Sequence, residues 1–280
     1  MRKNRLRELI EQGAPSLSTR MSTTWPNIIE LIGHTKMFDY VEFLAEYAPY
    51  DLYDLENMGR ALELHNMGGM IKIQQESRIH LAARAAMSGF QNFLFTDART
   101  PADVAECVRA VRAEAPETGG LRGVALGRDV GIVLEVGTPA YVQSTADAVV
   151  GLMIEKKQAV ENLEALLAVP GVDMVQFGPV DYAMSMGLAG QKQHPAIWEA
   201  QEYTIKTAQK MGITPRAELM VPEDAERFLD LGVRHFSLGI DTIILYSWLA
   251  ENGAALRDML KGADSGSPTS SAGRAGAVRY

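Results

Sequence analysis

Two acidic residues stand where a hydrophobic strand has just run out. The stretch AVVGLMIE (148–155) is apolar until it ends in Glu155. VQFGPVDYAMSMG (175–187) begins as a buried strand, is broken by Gly178 and Pro179, and reaches Asp181 at once. If the two strands are neighbours in one sheet, their ends lie roughly 5 Å apart and the carboxylates can converge on one small volume. Converging acids repel each other unless a cation separates them. A hard divalent ion, Mg²⁺ or Mn²⁺, suits an all-oxygen pair; a capping Asp and a salt-bridged Glu are the plainer alternatives. Other polar residues that end strand-like runs are Arg20, Glu46, Tyr47, Lys72, Gln74, Asp97 and Glu218. The sequence contains no His- or Cys-rich zinc spacing, G-x-S-x-G elbow, P-loop or G-x-G-x-x-G fingerprint.

The elements that must position these residues are legible as an alternation. Strand patterns fall at 15–21, 39–44, 69–74, 92–96, 148–155, 173–178, 214–219 and 235–239. Between them lie helical stretches such as LYDLENMGRALELH, SRIHLAARAAMSG, PADVAECVRAVRAEA and KKQAVENLEALLAV, several opening on Ser, Asp or Pro and closing near Gly. Eight strand–helix units in a row predict parallel strands and a single-domain (β/α)₈ TIM barrel over 1–261. GVDMVQFG (171–178) and GVRHFSLG (232–239) repeat the same grammar, a Gly closing one helix and a strand following without slack. In such barrels the active site lies at the C-terminal ends of the strands.

Composition narrows the class. The 280 residues are 47% hydrophobic, enough for one large core, and 27 Lys and Arg against 35 acids give a net charge of −8. That balance argues against a nucleic acid or an anionic membrane as partner. The one cysteine, Cys107, lies in an amphipathic helical pattern and reads as a core filler, so no intramolecular disulfide forms and a reducing, cytoplasmic setting is expected. MRKNRLRELIEQG lacks the apolar stretch of about 7–15 residues that a signal peptide needs. No apolar run reaches the ~18 residues of a membrane span. GADSGSPTSSAGRAGAVRY (262–280) is small, polar and aperiodic, and is expected to be a disordered extension.

The segment GVDMVQFGPVDYAMSMGLAGQKQHP (171–195) resembles the signature of the HpcH/HpaI aldolase family, metal-dependent 2-oxo acid aldolases. IEKKQAVENLEALLAVPGVD (154–173), GLRGVA (120–125) and SLGIDTIIL (237–245) match further family stretches in order, and the similarity runs from about residue 5 to 260. The resemblance implies that Glu155 and Asp181 hold the divalent ion, with Mg²⁺ or Mn²⁺ favoured and Co²⁺ a third candidate. It implies that backbone N–H groups around Gly178 and Pro179 bind a pyruvate-like carboxylate, and that Val180 lies where this loop touches substrate. It also implies a homo-oligomer, a hexamer or trimer, with the C-terminal helix a candidate for its contacts.

The pattern is broken in specific places. FDYVEFLAEYAPYDLYDLE (38–56) carries Leu44 and Tyr47 where the family places an Asp/His acid–base dyad. Tyr47, with an ordinary pKa near 10, is a poor base at neutral pH but a usable proton donor. Lys72 takes the place of an arginine that steadies the substrate oxygen, keeping the charge without the planar fork; a Schiff-base role is the lesser alternative. Met153 stands where a glutamine is usual, and Glu46 keeps the family's glutamate. Arg20 is a candidate for carboxylate recognition, a surface salt bridge being the alternative. His34, His65, His80, His194 and His235 read as structural, and Trp25, Trp198 and Trp248 as packing or subunit contacts. The leading expectation is a metal-dependent carbon–carbon lyase acting on a 2-oxo acid. The rivals are a decarboxylase, C–C hydrolase or cyclisation enzyme on the same platform, and a non-catalytic oxo-acid-binding barrel.

Overall fold

The computed structural model describes residues 2–264. Eight strands are present: β1 Ser16–Met21, β2 Tyr40–Phe43, β3 Gly68–Ile73, β4 Asn92–Phe95, β5 Val149–Ile154, β6 Met174–Phe177, β7 Thr214–Leu219 and β8 His235–Ile240. All pair in parallel, and they close a barrel in chain order. Each lies within one residue, at either end, of the stretch its pattern predicts. Helices α1 Arg5–Glu11, α2 Pro26–Thr35, α3 Leu52–Leu64, α4 Arg78–Met87, α5 Pro101–Val111 and α6 Pro139–Ala146 come before β5. After it come α7 Lys157–Glu161, α8 Leu163–Leu167, α9 Pro179–Ser185, α10 Pro195–Lys210, α11 Glu226–Asp230 and α12 Asp241–Asp264.

Caps explain where several helices begin. Asp51 with Asp54, and Thr100 with Asp103, form reciprocal capping boxes for α3 and α5. Two expected helices end early. PADVAECVRAVRAEA stops at Val111 because Arg112 turns extended and Ala113 bridges to Arg122. KKQAVENLEALLAV is split at Asn162, whose side-chain amide donates to the Arg99 carbonyl at 3.0 Å. Gly171 carries the turn into β6 at φ +95°, and a Cβ there would lie 2.7 Å from Val108; only glycine fits.

The core has two layers, as strands buried on both faces require. Outward-facing Val41, Phe43, Ile71, Ile73, Phe93, Phe95, Val150, Leu152 and Ile154 pack in one cluster with buried helix residues, Cys107 of α5 among them. Inside the barrel, Tyr40, Met70, Leu94, Val149, Met153 and Met174 form a second cluster with Leu6 of α1. Other inward positions are polar or glycine. Arg216 on β7 and Glu42 on β2, both wholly buried, form an ion pair, and Arg216 Nη2 also donates to Ser18 Oγ at 3.0 Å.

The chain divides into two compact units, residues 1–241 and 242–280. In the second, the described part is the rest of α12, on which Ile244, Leu245, Tyr246, Trp248 and Leu249 are exposed. The helix runs three residues into the extension expected at 262–280; the rest of it, 265–280, lies outside the described residues. Among the described residues no helix is long and apolar enough to cross a membrane.

Candidate active site

The C-terminal ends of the strands open into a cavity of about 320 Å³. Arg20, Tyr47, Lys72, Glu155, Gly178, Pro179, Val180 and Asp181, the eight residues given a role at the site from the sequence, all line it, as does Glu218; Glu46, Gln74 and Asp97, the other strand-end residues, do not. Among the described residues no histidine does.

Glu155 follows β5 directly and is 3% exposed. Its oxygens and those of Glu46 and Asp97 include one from each residue within 4.8 Å of the others. Asp97 also donates its backbone N–H to Glu155 Oε1 at 3.3 Å. It does so from a left-handed conformation, φ +56°, which Asp tolerates better than most residues. Burial pushes the Glu155 carboxyl up to about 7, with the charges of Asp181 and Glu46 adding to the rise and Lys72 and Lys156 opposing it. Glycine at 178 permits the approach of the two strands: a Cβ there would lie 2.7 Å from Glu155 Cβ and 3.3 Å from Met153 Sδ.

Asp181 stands in the first turn of α9 but does not join that trio. Its Oδ1 accepts from Lys156 Nζ at 3.0 Å, and the same ammonium lies 3.4 Å from Asp97 Oδ1. Sequence reading passed over Lys156, although it follows Glu155 directly. The Gly178 N–H donates to the Ile154 carbonyl at 3.0 Å and so belongs to the sheet. The amides available to a carboxylate are therefore those of Val180 and Asp181, in a first helical turn that has no intrahelical acceptor.

A second charged group faces these acids. Lys72 Nζ donates to Tyr47 Oη at 2.5 Å and pairs with Glu46 Oε2 at 2.7 Å. Burial would lower the Lys72 ammonium, but Tyr47 and Glu46 together hold its pKa above the ordinary value. Burial pushes the Tyr47 phenol up to about 12 despite that ammonium, so the phenol keeps its proton at neutral pH. Leu44, in the place of the family's aspartate, is buried. Arg20 is not on the surface: Nη1 meets Glu218 Oε2 at 2.6 Å and Nε donates to the Gly239 carbonyl at 3.2 Å. Glu218 accepts from Gln176, Gln176 accepts from Arg216, and Arg216 pairs with Glu42. A polar chain thus runs from the cavity into the barrel's centre.

The donor set fits a hard divalent cation. Three carboxylates approach each other around a buried Glu155, and all-oxygen ligation is what Mg²⁺ and Mn²⁺ take.

The chain is similar to known proteins of one family. The sequence profile of the HpcH/HpaI aldolase/citrate lyase family matches residues 37–247. A 5-keto-4-deoxy-D-glucarate aldolase of Klebsiella pneumoniae is 30% identical over 207 residues, 73% of this chain and 78% of the relative. A 4-hydroxy-2-oxo-heptane-1,7-dioate aldolase of Escherichia coli is 26% identical over 248 residues, 86% of this chain and 90% of the relative. The crystal structure of a family protein from Burkholderia cenocepacia superposes with a TM-score of 0.82 at 25% identity, covering 91% of this chain and 100% of that one.

Proposed function

Because the chain belongs to the HpcH/HpaI aldolase/citrate lyase family, we propose that it is a carbon–carbon lyase that uses a divalent ion to make or break a bond next to a pyruvate-like 2-oxo acid. One observation carries the reading: buried Glu155, grouped with the half-buried carboxylates Glu46 and Asp97, lines the same cavity as a Lys72–Tyr47 couple. Glu155, Asp97 and Glu46, with Asp181 once it leaves Lys156, would hold Mg²⁺ or Mn²⁺, Co²⁺ being a third candidate. When bound, such an ion polarises the 2-oxo group and draws off negative charge as the carbon–carbon bond breaks.

The chain's own groups do the rest. The first-turn amides of Val180 and Asp181, beside Pro179, offer N–H donors to the substrate carboxylate. Lys72, kept cationic by Tyr47 and Glu46, adds fixed positive charge where the oxo oxygen becomes anionic. A Schiff base would need a neutral amine, which this pairing disfavours. Tyr47 Oη accepts from Lys72 and keeps its own proton, with the Glu46 carboxylate beside it, and that proton is the one to be donated toward the product carbon. The residue is 59% exposed, which lets solvent return the proton. Arg20, held by Glu218 and Gly239, supplies a second fixed cation at the cavity wall.

A specific observation favours a decarboxylase on the same platform. Tyr47 and Leu44 replace the acid–base dyad, and among the described residues no histidine lines the cavity to accept the proton of an aldol hydroxyl. Loss of CO₂ from an oxaloacetate-type acid needs no such base. Metal-loaded protein assayed on oxaloacetate and on a panel of 4-hydroxy-2-oxo acids separates the two. Rapid cleavage of the hydroxy acids supports the aldolase, and turnover of oxaloacetate alone supports the decarboxylase. A homo-oligomer, trimer or hexamer, fits the exposed apolar side chains of α12, and sedimentation would measure it.

A further inference from the structure

We infer that Lys156 is a tethered cation that competes with the divalent ion for the carboxylates of Asp97 and Asp181, and so sets how tightly this site holds metal. The inference rests on the metal-site reading above and concerns a residue that reading does not use. Lys156 Nζ lies 3.0 Å from Asp181 Oδ1 and 3.4 Å from Asp97 Oδ1. The three side chains are 22%, 34% and 23% exposed, so water screens the contact only partly. The next residue, Lys157, shows the contrast: its side chain is 57% exposed and its partner Glu161 lies 3.8 Å away. Of two consecutive lysines, one points into the acids and one into solvent.

Four carboxylates, Glu46, Asp97, Glu155 and Asp181, lie beside two ammonium groups: Lys72 meets Glu46, and Lys156 meets Asp97 and Asp181. Lys72 is committed to Glu46 and Tyr47. Lys156 therefore balances the acids nearest the ion's position while the metal is absent. Asp181 cannot aim the same oxygen lone pair at an ammonium and at a hard cation, which needs its ligands within roughly 2.0–2.6 Å. An ion that takes Asp181 must displace the lysine, and like charges held a few ångströms apart oppose its entry. Metal binding at this site is then an exchange of cations.

The test is a titration of metal-stripped protein with Mn²⁺, read by calorimetry or by the electron paramagnetic resonance signal of free Mn²⁺. Lys156→Met should lower Kd by at least about tenfold, the lower end of what one solvent-screened charge does at this distance. Lys156→Arg and Lys157→Met should leave Kd near the wild-type value. Equal, measurable affinity in wild type and Lys156→Met overturns the inference and leaves the metal site standing. Absence of binding in both overturns the inference and the metal reading together. A melting readout checks the same idea without titration. Metal-free Lys156→Met should melt below wild type and gain more from Mn²⁺, since a ligand stabilises in proportion to its affinity for the native state. Lys156→Gln, which keeps a donor for Asp181, makes the same comparison should the Met variant not fold.

Discussion

Lys72 Nζ lies 2.5 Å from Tyr47 Oη and donates to it, and the phenol keeps its own proton, with Glu46 beside it. The same lysine pairs with Glu46 at 2.7 Å, so the phenol is held in place and the acidic group behind it is neutralised. Tyr47→Phe removes the proton while keeping the ring, and kcat should fall by roughly 10²-fold or more, the usual scale for an acid–base group. Lys72→Met should cost at least as much, because it removes the fixed charge and frees Glu46. Steady-state kinetics on the preferred 2-oxo acid, with circular dichroism to verify the fold, would measure both. An unchanged kcat in Tyr47→Phe would make the phenol only a wall of the cavity.

The buried carboxylate gives a second prediction. Burial holds Glu155 near pKa 7, so its ionised form costs stability in the metal-free protein. Glu155→Gln should therefore melt at or above the wild-type temperature without metal. Asp181→Asn should melt slightly lower, since it leaves Lys156 with Asp97 alone. Both variants should lose the rise in Tm that Mn²⁺ gives wild type. Thermal melts of the three proteins, with Mn²⁺ and after chelation, read this directly, and a full Mn²⁺ response in either variant would place the ion elsewhere.

The barrel was legible because each strand is a short apolar run bounded by turn residues, a local signal. The strand-end residues were legible for the same reason: a polar group just after such a run has one place to go in this fold. The interior network was not. Glu42, Gln176 and Arg216 sit inside their strands, and nothing local tells a reader that Arg216 on β7 meets Glu42 on β2, 174 residues away. Their signal was the presence of polar and charged residues within strands that should be buried on both faces. Lys156 was hidden differently. Its side chain could have gone to solvent, as that of Lys157 does, and only the positions of Asp97 and Asp181 decide otherwise.

That interior pair yields a third prediction. Arg216 and Glu42 are wholly buried, and Arg216 also holds Ser18 and Gln176. Arg216→Met leaves a buried carboxylate without its partner and should destabilise the fold by about 3–5 kcal/mol. Adding Glu42→Leu removes the orphaned charge and should restore most of that loss, since apolar replacements of a buried pair are often neutral or better. Chemical denaturation of the two variants decides it. If the double variant is no more stable than the single, the packing of Arg216 matters more than its charge.

The last prediction concerns acid. His235 opens β8, is 5% exposed, and shares a hydrogen bond of 2.8 Å between its Nδ1 and Ser16 Oγ. Burial pulls its pKa down to about 4, and the positive charges of Arg216 and Arg234 add to the drop. The folded protein thus keeps the ring neutral where the unfolded chain, with an ordinary value of 6.5, already binds a proton. Between those two values the unfolded state holds more protons, so stability rises with pH there and is lost as pH falls from about 6.5 toward 4. At pH 5 the loss from this one group should be about 2 kcal/mol. Glu155 acts in the opposite sense from 4.5 to about 7, so the total slope of wild type does not isolate the histidine. The difference between wild type and His235→Gln does, because Glu155 is common to both. Urea denaturation at pH 7.5 and pH 5.0 should show wild type losing about 2 kcal/mol more than the variant over that interval. Parallel losses in the two proteins would mean that the ring is charged, or solvated, in the native state.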